Sequence, residues 1–472
     1  MLTLGDNIII FIFLVLIIGI GLFLSKKIRN MELFYLAGRK LPWFITVGTI
    51  SATWFGASGT IGAVEMGFTF GLSTWFAWCF IAYLSRIPLA LIVGPRVHMT
   101  TGLTIPDILR SKYGKLISVF IAALMFICMI QITEVMAINI IGKSAWDIDG
   151  ITLSVIIVGL SVLLAVLGGL LSVAITDVLF FFCMFFGLVM ALPQIWHSMG
   201  GIDGILNGFQ AMDASYFKDS GGLENYLSVS GGLKPTRAIV LFLISMQVYC
   251  NPIFYQRFSA ADSRKSAGRS LLICLVIWLA FDFAMVMLGM IVKLSYPDMN
   301  PGEAYIKMML SFLPVSLRAL FIIGAMGSVV TTLNSCYLIA GVTLTNDIIE
   351  PLLKKRRLSQ RELVLYSRLG IVFMGVLGIL ASQMFDMVID AYIFISSAWV
   401  SGAMVPILAA FFWRGKRTIT SVWFSSIGGL TAFIVLRALG IGDTLLYALP
   451  ISIVCFVIGN FIGKDLREKE II

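Results

Sequence analysis

The sequence predicts an all-α polytopic membrane protein of about thirteen transmembrane helices, two of them broken, arranged as a five-plus-five inverted repeat. Three observations predict it. The chain is 59% hydrophobic and only 12% charged, where a soluble domain carries about 25% charged residues. Its apolar runs are about 20 residues long, enough to cross hydrocarbon as helices, and lack the roughly 10-residue alternation of barrel strands. Two of the runs, five spans apart, are interrupted by small polar residues or by proline.

In chain order the spans fall near residues 7–24, 42–66, 71–94, 116–142, 150–170, 172–196, 237–256, 268–293, 316–346, 363–384, 388–412, 420–439 and 444–462. Residues 1–41 then hold an extra N-terminal helix and loop, 42–199 the first repeat and 200–236 an external loop. Residues 237–413 hold the second repeat, and 414–472 two accessory helices and a tail. The opening run, "MLTLGDNIIIFIFLVLIIGIGLFLSKK", lacks the basic start and small-residue cleavage site of a signal peptide, so it is expected to remain as a span.

Charge sets the expected orientation. Lys26, Lys27, Arg29, Arg39 and Lys40 follow the first span. Alternate loops then carry Arg96, Arg110, Lys112 and Lys115, "QRFSAADSRKSAGR", "KKRRLSQRE", "WRGKR" and the tail "KDLREKE". In the opposite loops Lys143, Lys218, Lys234, Lys293 and Lys307 are offset by Asp147, Asp149, Asp213, Asp219, Glu224, Asp298 and Glu303. The bias predicts a multi-pass protein of the cell membrane with its N-terminus outside and its C-terminus cytoplasmic.

Several classes are excluded by the same reading. The net charge of +9 is spread through loops rather than gathered in a patch, so nucleic acid is not an expected partner. The seven cysteines all fall in apolar runs without metal-ligand spacing, and His98 and His197 stand alone. Nothing resembles a nucleotide-binding loop, a nucleophile–base set or a repeated pore loop. An enzyme, an ATP-driven pump and a channel are all disfavoured, and oligomeric state is left open.

The interruptions are specific. The second span reads "GTISATWFGASGTIGAVEMG", with Gly48, Gly56, Gly59, Gly62 and Gly67 among small polar residues; the seventh reads "ISMQVYCNPIFYQRF", with Asn251-Pro252 in mid-run. Proline removes a backbone donor and disfavours helix at the residue before it. Each interruption taken alone is explained by close helix packing. Their matched positions instead point to discontinuous helices around a midplane binding site.

The ninth span carries Ser328, Thr331, Thr332, Asn334 and Ser335, of which 328, 331/332 and 335 share one helical face. A single threonine there would bond back to the carbonyl one turn earlier, but a stripe that includes Asn asks for a partner. Hydroxyl and carbonyl oxygens suit a small hard cation. Asp177, in "GGLLSVAITDVLFFF", is the candidate countercharge; the other reading places it near a helix end, two turns from the Gly168-Gly169 bend, where it reaches headgroup water.

On these residues the chain resembles the sodium:solute symporter family, which shares the five-plus-five fold of the leucine transporter. The resemblance covers roughly residues 5–440. It rests on "YLAGRKLPWF", "ISATWFGASGTIG", "GGLLSVAITDV", "YQRFSAADSRKSA" and "TTLNSCYLIAGVTLTNDII", in that order. It implies a sodium ion held by the carbonyls of Val47, Ile50 and Ser328 and the hydroxyls of Thr331 and Thr332, with Asp177 beside it. The family often has Ser where Thr331 or Thr332 stands here. A second sodium, which some members bind, would use Asn334 and Ser335 with Asp177; Asn334 departs there from the family's serine.

A small organic solute is expected near the midplane, among Thr53, Trp54, Phe55, Trp78, Gln131, Glu134, Gln247, Asn251, Ser396, Ser397 and Trp399. The aromatics alone read equally as packing residues. Glu134 lies several turns from either end of its span and pairs either with a cationic group of the solute or with another helix. Sugar-carrying relatives place an acidic–amide pair after "ISA", where this chain has Thr53-Trp54. That favours an amino acid, amine or organic acid over a sugar. The expected activity is sodium-coupled uptake by alternating access. A proton-coupled permease using Asp177 or Glu134, and a solute sensor that does not transport, are the rivals.

Overall fold

The computed structural model describes residues 2–148, 150–353, 357–384 and 388–466. Asp149, Lys354, Lys355, Arg356, Arg467, Glu468, Lys469 and Glu470, used above for orientation, lie outside them. Every long element among the described residues is helical, as the apolar runs require where hydrocarbon offers backbone groups no partner.

Among the described residues eleven helices are long and apolar enough to cross a membrane, rather than the expected thirteen. The difference has two sources. Gly150–Ser198 is one continuous 49-residue stretch that turns at Gly169 (φ 52°, ψ −152°), where two spans were expected. A side chain at Gly169 would meet the Phe34 carbonyl at 2.2 Å, so both the backbone angle and the approach demand glycine. The expected second span is interrupted, running as Trp43–Trp54 and Ile61–Phe70, and neither half is long enough to cross hydrocarbon by itself.

The second interruption is also present. Pro235–Ser245 passes through a 3₁₀ turn at Met246–Tyr249, and helix resumes at Pro252–Ala260. Asn251 caps that restart, its side-chain oxygen accepting from the Ile253 amide at 2.9 Å, with Pro252 at the first helical position.

Burial separates centre from rim. Leu317–Val342 is central: every residue from Met326 to Val342 is buried, and the helix packs most extensively on Gly150–Ser198. Leu4–Ser25 is peripheral, with Phe11, Ile12 and Phe23 exposed on a face that suits lipid. Ile419–Ala438 and Leu445–Ile462 pack chiefly on each other as an outlying pair. The two broken helices and the central helix therefore meet inside the molecule, away from the lipid-facing rim.

Candidate functional site

The break between Trp43–Trp54 and Ile61–Phe70 releases carbonyls. The final turn of Trp43–Trp54 leaves the oxygens of Ala52 and Thr53 without a helical partner. The Thr331 hydroxyl lies 3.0 Å from the Ala52 carbonyl and 3.1 Å from that of Ser328. The Thr332 hydroxyl lies 3.0 Å from the Thr53 carbonyl and 3.0 Å from that of Ser328. Three carbonyls and two hydroxyls thus converge from two helices.

This oxygen set differs from the sequence expectation. Val47 and Ile50 lie inside the unbroken half-helix, where carbonyls are spent on the i→i+4 ladder, and the Val47 oxygen faces the Cys274 thiol. The carbonyls the break sets free belong to the residues two and three places before Phe55, so it is Ala52 and Thr53 that face the threonines.

Asp177 is fully buried rather than at headgroup water. It accepts from the Thr49 hydroxyl at 2.5 Å and from that of Thr53 at 3.4 Å. The fully buried guanidinium of Arg257 stands 3.7 Å away. Its Nη2 also reaches the hydroxyls of Ser335, Thr49 (3.3 Å) and Thr53 (3.5 Å). Its Nη1 donates to Gln256, whose amide in turn donates to the Tyr35 carbonyl at 2.9 Å. Asn334 turns the other way: its amide nitrogen is placed to donate to the carbonyls of Ser161 (2.9 Å) and Val330 (3.2 Å). Ser335 and Asp177 are therefore brought together, through Arg257, and Asn334 is not. Sequence reasoning passed over Arg257 because it closes "YQR" at the edge of a charged loop, where arginine ordinarily serves orientation.

A cavity of about 120 Å³ opens beside the stripe. Eight expected solute-facing residues line it: Thr53, Trp54, Trp78, Gln131, Glu134, Gln247, Asn251 and Ser396. Three others do not. Phe55 is buried against Phe281 (ring centroids 4.0 Å apart) and Trp278. Trp399 packs inside the core, and Ser397 lines a separate cavity with Arg237 and Asp390. The aromatic pattern alone does not distinguish Phe55 from Trp54; the kink after Trp54 does.

Glu134 has a helical partner. Its Oε2 accepts the Ala57 amide at 2.8 Å, one of the donors freed by the break. A Cβ at Gly56 would lie 2.6 Å from both Glu134 Oε1 and the Thr332 hydroxyl. The stripe and the cavity consequently share a wall, with Thr53 and Thr332 belonging to both.

The cavity wall also holds Arg86, Tyr83 and Tyr392, which the sequence did not single out for the solute. Arg86 lies with its guanidinium 4.1 Å from the Trp54 ring and 4.6 Å from that of Tyr83. Tyr83 donates to Asp282 and receives the Trp54 indole N–H at 3.3 Å. Gln247 donates to the Tyr392 hydroxyl at 2.6 Å.

The fold and sequence both have known counterparts. A Na+-coupled sialic acid symporter, solved substrate-bound and outward-open, superposes with a TM-score of 0.81 at 16% identity, covering 98% of this chain and 99% of the other. A nucleobase-cation-symport-1 family transporter in a closed conformation gives 0.56 at 12% identity, with 91% and 95% covered. Among relatives by sequence, Sodium/glucose cotransporter 2 of Rattus norvegicus is 24% identical over 78% of this chain and 61% of its own length. High-affinity choline transporter 1 of Drosophila melanogaster is 24% identical over 79% and 60%, and Sodium/myo-inositol cotransporter 2 of Homo sapiens 23% over 88% and 66%. The chain thus spans about three fifths to two thirds of the length of these relatives. The profile of the sodium:solute symporter family matches residues 34–428, and with most of its 472 residues so covered this chain belongs to that family.

Proposed function

We propose that the protein couples inward movement of sodium to uptake of a small organic solute by alternating access. The observation that supports this best is the shared wall: Thr332 and Thr53 contribute both to the converging oxygens and to the cavity. An ion drawn to those oxygens would hold the half-helix Trp43–Trp54 against Leu317–Val342 and so fix the shape of the solute pocket.

Each threonine hydroxyl donates and accepts. Without the ion its hydrogen points at a carbonyl; with sodium bound it would turn away, leaving the oxygens of Ala52, Thr53, Ser328, Thr331 and Thr332 as ligands. With the N-terminus outside and the C-terminus cytoplasmic, each sodium entering down an inward-negative potential supplies about 2.3 kcal/mol per 100 mV.

The reading includes one sodium per cycle. The place where a second would sit, among Ser335, Thr53, Thr49 and Asp177, already holds the Arg257 guanidinium, a cation fixed to the chain. A second ion there would have to displace it or bear its repulsion at short range.

The test is the melting temperature of purified protein across a sodium series, with potassium holding ionic strength constant. Sodium should raise it as RT ln(1 + [Na]/Kd). The rise should vanish in Thr332→Ala and survive in Thr332→Ser, which keeps the oxygen. Equal melting in the two salts would sink the proposal and favour proton coupling, which uptake at fixed sodium and varied pH would then reveal.

A further inference from the structure

We infer that the solute carries a carboxylate and that Arg86 is the residue that holds it; this rests on the transport reading and names the class of solute. Arg86 is 1% exposed and lines the cavity. The face of its guanidinium is occupied by Trp54 at 4.1 Å and Tyr83 at 4.6 Å, with Trp278 at 5.7 Å. Its edge is not. Among the described residues neither Nε nor Nη1 has a hydrogen-bond partner, and no carboxylate oxygen lies within 4.0 Å of the group.

Buried arginine is retained at a cost that only satisfied donors offset. Stacking on aromatic rings compensates part of the charge but leaves in-plane N–H groups unspent. Asp282, the nearest acidic side chain, does not take them, because its carboxylate is engaged by the Tyr83 hydroxyl. What complements a buried guanidinium that lines a solute cavity and has no ion-pair partner is an anionic group with acceptor oxygens, which on a small organic solute is a carboxylate. A doubly charged phosphate fits less well, since Asp282 and Glu134 line the same cavity and would repel it more strongly. A neutral sugar or a quaternary amine leaves the same donors unsatisfied.

Acetate is the probe, as the smallest stable carboxylate that carries a methyl group, titrated against chloride at constant sodium and ionic strength, with acetamide as the neutral isostere. Melting temperature is read for wild type, Arg86→Lys and Arg86→Gln. Acetate is expected to stabilise the wild type beyond chloride, while acetamide does not. Arg86→Gln should weaken the acetate response about 30-fold or more, and Arg86→Lys, which keeps charge but loses the planar fork, about 10-fold. Both variants should still be stabilised by sodium, which checks that they are folded and separates this inference from the sodium reading. No difference between acetate and chloride in the wild type overturns it, as does a difference that Arg86→Gln retains or that acetamide reproduces.

Discussion

Arg257 and Asp177 illustrate what single residues contribute and how far a sequence exposes it. Asp177 was legible because a carboxylate inside an apolar run is costly wherever it sits, and cost implies a reason. Its partner was not, because arginine at the end of a span usually reaches headgroups, and only the fold turns this one inward. Both side chains are fully buried, so removing one leaves the other uncompensated. Arg257→Ala is therefore expected to destabilise the protein by roughly 3–5 kcal/mol, seen as a large drop in melting temperature in potassium as well as sodium. Asp177→Asn with Arg257→Gln should cost less than Arg257→Ala alone, since no unpaired charge remains. A double variant worse than the single would mean that the hydroxyl contacts of Arg257 to Ser335, Thr49 and Thr53 matter more than its charge. Thr331 and Thr332 were equally legible, as hydroxyls at helical spacing. Which carbonyls face them was not, because that depends on where the opposite helix ends to within one residue, and boundaries are the least certain part of a sequence reading.

At the scale of elements, the two breaks carry the architecture, and local chemistry announces both. Asn251-Pro252 is a cap followed by a residue that fits the first helical turn, so the restart of the second broken helix is written in two adjacent letters. Asn251 also lines the cavity, and its two roles separate by substitution. Asn251→Ser keeps a capping oxygen and should leave the melting temperature nearly unchanged. Asn251→Ala should lose about 1 kcal/mol. An equal fall in solute affinity in both variants, against unequal stability, would assign the amide itself to the solute. The glycines of the first broken helix divide in the same way. Gly67 meets the Val286 carbonyl and Gly289 that of Val64, so these two helices approach until backbone touches backbone. Gly289→Ala puts a methyl 2.3 Å from that oxygen and is expected to lower the melting temperature in either salt while leaving the sodium-induced rise intact. Hydropathy could not show this contact, because glycine scores alike whether it packs, bends or terminates a helix. The 49-residue stretch through Gly169 makes the same point: two spans read correctly as apolar are joined by a bend that only the approach of Phe34 explains.

For the whole molecule, the sequence's composition and apolar run lengths were sufficient for the class, and the spacing of the two breaks for the relation between its halves. What they left out is depth: which spans are central and which face lipid. That follows from packing, and it decides what an ion can move. Leu317–Val342 is buried along nearly its full length, whereas Ile419–Ala438 and Leu445–Ile462 form a pair at the edge. If sodium ties the end of Trp43–Trp54 to the central helix, its effect on local opening should be confined to what that tie restrains. Amide hydrogen exchange measured in sodium and in potassium should slow in peptides covering residues 52–60 and 328–335. At sodium near a hundred times its Kd, the bound ion adds about 2.7 kcal/mol to any opening that requires its release, so slowing up to about 100-fold is expected. The edge pair at 419–438 and 445–462 should exchange alike in both salts, because neither helix touches the converging oxygens. Thr332→Ala should abolish the difference at 52–60 as well as at its own position, since the restraint acts across the two helices. Slowing spread evenly over the chain would instead mean that sodium stabilises the fold as a whole, and the link between ion and solute pocket would then need a different joint.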